Sequence, residues 1–304
     1  MPTITVGLDG SPQSHAAADW AAREAQQREA SLRLVHAWEP QPRSYAPLAG
    51  AYALPAVETE HVWAGHMLRE AESRLAEHHP GLPITTQQTA GPPAAALTAA
   101  AADADLLVLG SRALGAVAGF LVGSVALAAV SRSERPVVLV RADEHATDEH
   151  RADATRSAST GTPFRDVVLG LDLEDPADAV LGFAFEAAQR RAADLRVLHG
   201  WSPPPSHGYG AAFDAGPDAE PAEQVGHRLA EVLQPWKDKF PGVRVREQTV
   251  VGSAGRHLVH ASRDAALLVV GRRNRRAVVG GHIGPVTHAV LQHASAPVAV
   301  VPHD

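Results

Sequence analysis

The sequence predicts an α/β protein of two tandem doubly wound domains, each a five-stranded parallel sheet of order 3-2-1-4-5 with helices on both faces. Three observations lead there. Short apolar runs ending in glycine or aspartate alternate with stretches of helical periodicity, the pattern of βαβ units. The length, 304 residues, suits two domains with a core each. The second half also repeats the first. Asp9 and Asp172, His36 and His199, and Trp38 and Trp201 stand 163 apart, while Gly110 and Gly271, Gly123 and Gly284, and Pro136 and Pro297 stand 161 apart. A fixed offset over several markers is an internal duplication, and the change from 163 to 161 places a two-residue loss between them.

Thr3–Asp9 reads as a strand ending in a carboxylate, and Ser11-Pro12 supplies an N-cap and a first-turn proline for a helix to about Ala30. Ala17, Trp20, Ala21 and Ala25 share one face of it. Ser31–Trp38 is the second strand. Glu39–Pro55, rich in proline, glycine and tyrosine, reads as a loop. A helix over Val57–His79 has Ala64, Leu68, Ala71 and Leu75 as its apolar stripe, and Pro80-Gly81 stops it. Ile84–Thr89 is a short strand, and Gly91-Pro92-Pro93 opens a helix through Ala102. Asp105–Leu109 is a buried strand stopping at Gly110. A glycine-punctuated loop follows, then a helix from Gly123-Ser124, then the strand Pro136–Arg141.

Asp143–Pro163 is polar and charged without apolar periodicity, and reads as a flexible linker between a first domain (1–142) and a second (164–304). The plan then restarts with the strands Asp166–Asp172 and Leu195–Trp201. A helix over Ala222–Phe240 follows, then the strand Leu267–Gly271, a helix from Gly284, and the strand Ala296–Val301. Strand five of each copy ends its own sheet. Exposed edges need cover, so the two are expected to pair with each other as a pseudo-dimer, leaving other surfaces for a homodimer.

Composition narrows the chemistry. There is no cysteine, which removes disulfides, thiolate metal sites and thiol catalysis. No apolar run reaches membrane-spanning length, and the start lacks a basic region, so a cytoplasmic protein without a membrane partner is expected. A net charge of −7 argues against non-specific nucleic-acid binding. The two lysines, Lys237 and Lys239, form no Gly-Lys-Ser/Thr step, so there is no P-loop.

The loop from Gly110 to Gly123 is the strongest functional signal. A loop that ends at a helix N-terminus offers unpaired amides and the positive end of the dipole, which suits an anion. Ser124 adds a hydroxyl there. In such sheets ligands sit beyond the carboxyl ends of the strands, where Asp9, Trp38 and Gly110 fall.

These residues resemble the universal stress protein family in its tandem form, over nearly all of the chain except the linker. The family's phosphate pattern is Gly, two residues, Gly, nine residues, Gly, Ser/Thr. The first copy reads Gly110, Ser111-Arg112, Ala113, nine residues, Gly123, Ser124, departing only at Ala113. If that position needs positive φ, alanine there costs roughly 1 kcal/mol. The second copy reads Gly271, Arg272-Arg273, Asn274, nine residues, Gly284, Pro285, and is more eroded. The resemblance implies ATP, alone or with Mg2+, as ligand. Carried onto this chain, Asp9 lies by the ribose or adenine, Ala37 offers backbone to the adenine edge, and Gly110, Ser111, Arg112, Ala113, Gly123, Ser124 and Val125 enclose the phosphates. Asp172, Gly271, Arg272 and Gly284 form the degenerate counterpart.

The family implies an ATP-binding stress-response regulator, with weak ATP hydrolysis at most and no catalytic residue to name. Two alternatives stand beside it: a ligand-free interaction and dimerisation module, favoured by Ala113, Asn274 and Pro285, and a slow ATPase. Simpler roles also compete residue by residue. Asp9 alone reads as a helix-capping or solvated carboxylate, and Ser124 as an N-cap. His36 and His199 read as satisfied strand histidines, and Trp38 and Trp201 as packing at least as readily as adenine stacking. The seventeen histidines offer no third ligand at metal spacing, so no metal site is expected.

Overall fold

The computed structural model describes residues 1–39, 56–111, 123–153, 155, 157–201, 219–274 and 283–304. The expected loop at 39–55 lies almost wholly outside them. So do Arg112 and Ala113 and most of the loop leading to Gly123. The chain divides into two compact units, the first ending at Asp143 and the second beginning at Glu144.

In the first unit the strands are β1 (Thr3–Gly7), β2 (Ser31–Trp38), β3 (Ile84–Ala90), β4 (Leu106–Ser111) and β5 (Val137–Arg141). They run parallel in the order β3-β2-β1-β4-β5. The apolar runs explain the stacking. Ile4, Val6, Leu32, Leu34, Leu106 and Val108 are fully buried, because helices cover both faces of the sheet. The helices are α1 (Pro12–Gln27), α2 (Ala56–His78), α3 (Pro93–Ala102) and α4 (Ser124–Arg132). α1 and α2 pack on one face, α3 and α4 on the other. Alanines on the inner side of α1 let it lie close on β4, and Trp20 fills the remaining volume at 1% exposure.

The N-cap of α1 is Ser11, whose Oγ accepts the Ser14 N–H at 3.2 Å ahead of Pro12. α4 opens at Gly123-Ser124 as expected, and only the simpler reading of Ser124 as N-cap is off by one position. Its N-cap is Gly123, without a side-chain cap, and Ser124 is the first helical residue.

The second unit repeats the plan with β6 (Asp166–Gly170), β7 (Leu195–Trp201), β8 (Val245–Val251), β9 (Ala265–Arg273) and β10 (Val298–His303). The order is β8-β7-β6-β9-β10, again parallel. α5 (Asp178–Arg190) and α6 (Ala219–Lys239) cover one face, and α7 (Ala254–Ala261) and α8 (Pro285–His293) the other. β9 and β10 extend two residues beyond the strand ends expected from sequence, to Arg273 and His303.

The described residues of the stretch expected as a flexible linker are held by defined contacts. They form a 3-10 turn over Ala146–Glu149, and isolated antiparallel bridges join His150 to Phe164 and Ala152 to Ala158. Glu149 is 2% and His150 5% exposed, and the His150 ring lies 4.1 Å from that of Phe164. Arg151 binds Asp166, at the start of β6, at 2.6 Å. Polar composition misled here because the segment is ordered by ion pairs and backbone bonds to the second unit rather than by apolar periodicity.

Candidate functional site

β1 delivers the chain to Leu8 and Asp9 at the carboxyl end of the first sheet. Asp9 Oδ1 accepts the Ser11 N–H at 3.0 Å, and the Asp9 N–H donates to Ser14 Oγ at 3.3 Å. The carboxylate thus shapes the turn into α1, while the N-cap itself is Ser11. One cavity of about 260 Å³ beyond the strand ends is lined by Asp9, Ala37, Gly110, Gly123, Ser124 and Val125 together. Its floor is apolar, with Leu8, Val35, Leu97 and Leu109. At its rim the first amide bond of α4 runs from the Leu127 N–H to the Gly123 carbonyl at 2.9 Å. The amides of Ser124, Val125 and Ala126 therefore have no partner inside the helix, and all three residues line the cavity.

The glycines divide by physical role. A Cβ on Gly110 would lie 2.5 Å from the carbonyl carbon of Gln13 and 2.6 Å from its oxygen, so this glycine admits α1 rather than a ligand. Around Gly123 a Cβ would meet nothing within 4 Å, and its φ of −56° suits any residue. Among the described residues, packing thus gives no reason for glycine at 123. Ser111 is 9% exposed and donates its hydroxyl to the Val140 carbonyl at 3.2 Å; it is not among the cavity's lining residues. Arg112 and Ala113 lie outside the described residues.

The second unit holds the matching cavity, larger at about 430 Å³. Asp172, Gly271, Arg272 and Gly284 all line it. Asp172 Oδ1 accepts the Glu174 N–H at 3.0 Å, repeating the turn at Asp9. Arg273 pairs with Asp175 at 2.8 Å and stands 3.9 Å from Asp172. Gly271 is another packing glycine, since its Cβ would come within 2.9 Å of His303 Nε2. Pro285 at the first position of α8 removes one amide, a loss that a helix start tolerates. Sequence reasoning missed His303, Asp175 and Thr287 as lining residues. His303 reaches the cavity because β10 runs on beside β9 to pair His303 with Arg273, which no local pattern signals.

The repeated histidines are satisfied as foreseen. His36 Nδ1 bonds the Leu8 carbonyl at 2.7 Å, and His199 Nδ1 the Leu171 carbonyl at 2.9 Å, tying strand two to the end of strand one in each unit. Trp38 lies 6.2 Å from His61 and does not line the first cavity. Among the described residues no group of three His, Asp or Glu side chains is placed to hold a metal ion, and no helix is long and apolar enough to cross a membrane.

Comparison with known proteins agrees with the duplicated plan. The sequence model of the universal stress protein family matches residues 1–141 and 163–302. A universal stress protein of Mycolicibacterium smegmatis is 32% identical over 303 residues, covering 98% of this chain and 96% of the relative. The crystal structure of a universal stress protein from Archaeoglobus fulgidus superposes with a TM-score of 0.67 at 15% identity, covering 99% of this chain and 98% of that one. A universal stress protein solved in complex with cAMP is 32% identical and covers 47% of this chain and 98% of its own, with a TM-score of 0.35.

Proposed function

The chain belongs to the universal stress protein family, and we propose that it is a nucleotide-responsive regulator whose first domain binds ATP in the cavity beyond its strand ends. One observation supports this above the rest. Gly123 stands at the cavity rim where no contact with the described residues requires glycine, next to three amides unpaired within their helix. That arrangement suits a polyphosphate, which accepts hydrogen bonds from several amides at once and needs close backbone approach. Asp9 faces the opposite end, where a carboxylate oxygen accepts ribose hydroxyls. Ala37 offers strand backbone to the adenine edge, and the apolar floor receives the ring. Any Mg2+ arrives with the phosphates.

The protein acts by binding rather than turnover. Asp9 is half committed to its turn, and it is the one charged side chain in the first cavity's described lining, so no strong general base faces the phosphates. ATP biases the protein's partner surfaces to the extent that it prefers one of their states. The work is placed in the cytoplasm. The domains are assigned to residues 1–142 and 164–304, with 143–163 between them. β5 and β10, last in their own sheets, are taken to pair within one chain, leaving other surfaces for a homodimer. A protease site inserted between Asp143 and Glu144, ahead of the segment bonded to the second unit, tests that pairing: the halves should still elute together after cleavage.

Calorimetry with ATP tests the main reading. Ser124→Ala and Gly123→Ala should each weaken binding while the fold persists. No heat of binding in the wild-type protein, and no thermal shift with ATP, would favour the ligand-free interaction module. Phosphate release well above a Ser124→Ala control would instead revive the slow ATPase.

A further inference from the structure

Each unit's sheet ends, beyond its second strand, in an edge: β3 in the first and β8 in the second. A strand edge carries N–H and C=O groups able to pair with another chain, and proteins blunt it with charge, bulges or cover. The two copies treat this edge differently.

The ladder fixes which groups of β3 are open. The Leu32 N–H donates to the Pro83 carbonyl and the Gly91 N–H to the Trp38 carbonyl, both at 2.9 Å. The register runs from Leu32 opposite Ile84 to Trp38 opposite Ala90. In a parallel pair this turns residues 83, 85, 87, 89 and 91 toward β2, and both main-chain groups of Ile84, Thr86, Gln88 and Ala90 face outward. Among the described residues no group bonds them. The strand reads ITTQQTA, with no charge, proline or glycine, and Thr85, Thr86 and Gln87 are exposed. β8 is the same edge, blunted. The Leu195 N–H bonds the Arg244 carbonyl and the Gly252 N–H the Trp201 carbonyl, so Val245, Glu247, Thr249 and Val251 face outward. Arg246 is paired with Asp194 and Glu247 with Lys237, and His257 Nε2 lies 3.2 Å from the Val251 carbonyl oxygen.

The occupant that fits β3 is a second β3. At a net charge of −7 two copies repel, and an uncharged strip is where they can approach. Antiparallel pairing about a two-fold axis at Gln87 sets Ile84 against Ala90 and Thr86 against Gln88 of the second copy, so every outward group finds a partner. Between these, Thr85 meets Thr89, a favourable cross-strand pair, and Gln87 meets its own copy. A charge at 87 would face its like across the axis, and the glutamine there is neutral.

We infer that β3 is a homodimer surface: two copies of the chain join antiparallel through Ile84–Ala90, continuing the first unit's sheet across a two-fold axis. Pairing consumes the open edge of each copy, so assembly stops at two. Such a dimer takes a surface that the tandem plan leaves free, and it needs no nucleotide.

Sedimentation velocity of the full chain across a range of concentrations, without nucleotide, tests it. The wild-type protein should show a concentration-dependent dimer. Thr86→Pro removes an outward N–H and leaves the β2 ladder intact, so it should weaken association about tenfold or more while circular dichroism stays that of the folded protein. Gln87→Lys and Gln87→Glu each set like charges across the axis and should give monomers, and mixing the two should restore a dimer. Gln248→Lys on β8 should change nothing. The chain has no cysteine, so Gln87→Cys supplies one thiol per copy. Partners of its kind stand about 4.5 Å apart at Cα, a span a disulfide bridges, so mild oxidation should give a covalent dimer. If Thr86→Pro does not fold, the lysine and glutamate variants decide. A monomer at every concentration, a dimer that Gln87→Lys leaves intact, or a mixture of the two charged variants that stays monomeric overturns the inference. ATP titration of the wild-type protein is read separately, so either reading can fail alone.

Discussion

Gly123→Ala and Gly110→Ala are the same chemical change at two ends of one loop, and they should fail in opposite ways. At Gly123 the new methyl meets nothing within 4 Å and the backbone (φ −56°, ψ 146°) is one any residue adopts. Restricting the unfolded chain stabilises by about 0.4–1 kcal/mol. Alanine is a poorer N-cap than glycine by roughly 1 kcal/mol, which offsets that gain. Net stability should therefore stay within about 0.5 kcal/mol of wild type. For ATP the methyl stands between the rim amides and the phosphates. Losing one charge-assisted hydrogen bond costs about 1.5–3 kcal/mol, so affinity should fall roughly ten- to a hundredfold. At Gly110 the methyl would lie 2.5 Å from the Gln13 backbone, which has no side-chain freedom to yield. That overpacking should cost about 3 kcal/mol and lower the melting temperature by several degrees. Differential scanning calorimetry and titration calorimetry on both variants read these outcomes. A folded Gly123→Ala protein that binds ATP like wild type would refute the phosphate role of this loop. An undisturbed Gly110→Ala protein would refute the packing account of the strand end.

Asp166 has its side chain only 9% exposed and faces Arg151 at 2.6 Å, Arg246 at 3.5 Å and Arg196 at 3.8 Å, so Asp166→Ala should destabilise the second unit by about 2–3 kcal/mol in chemical denaturation. Arg151→Ala should cost only about 1 kcal/mol, because that guanidinium is partly exposed, but it should speed hydrogen exchange at the Arg151 amide, bonded to Pro163, and the Arg165 amide, bonded to Glu149. In the first unit Glu24, 1% exposed, pairs with Arg28 at 2.5 Å; Glu24→Ala leaves a half-matched cation and should cost about 3 kcal/mol in the same assay. Asp153 accepts the Thr155 hydroxyl and the Ser157 and Thr155 amides, which hold its carboxyl below the ordinary value of 3.8. Its folded pKa is the depressed one, so the turn's contribution is complete above 3.8 and is lost as pH falls through the lower folded value. NMR titration of the Thr155 and Ser157 amides should place the midpoint below 3.8, and a midpoint at or above it contradicts the turn.

Much of the scaffold was legible because burial on both faces writes parallel strands as unbroken apolar runs. Leu106–Val108 and Val137–Val140 are such runs, and each is buried throughout. The repeat of Asp9 at Asp172 was legible from its spacing, and both carboxylates accept an amide two residues on. What escaped was non-local. The need for glycine at 110 comes from α1 crossing Gln13 over β4, which spacing does not encode. Ser111 matched the phosphate pattern, yet its hydroxyl serves the neighbouring strand at Val140. The order in 143–163 depends on Arg151 reaching Asp166, and polar composition says nothing of such a pair. His303 was invisible as a cavity residue because nothing in its neighbourhood of sequence links it to Gly271.

The differences between the copies fall at equivalent places. Ser124 is answered by Pro285, Ser111 by Arg272 and Ala142 by His303, each pair 161 apart. The first exchange removes a hydroxyl and an amide from the helix start; the other two bring a guanidinium and an imidazole to the same cavity. Loss of a hydroxyl and an amide beside gain of a guanidinium and an imidazole changes the chemistry that lines the second cavity. Duplication makes that change tolerable, because the first domain retains the amide-lined cavity while the second alters its own.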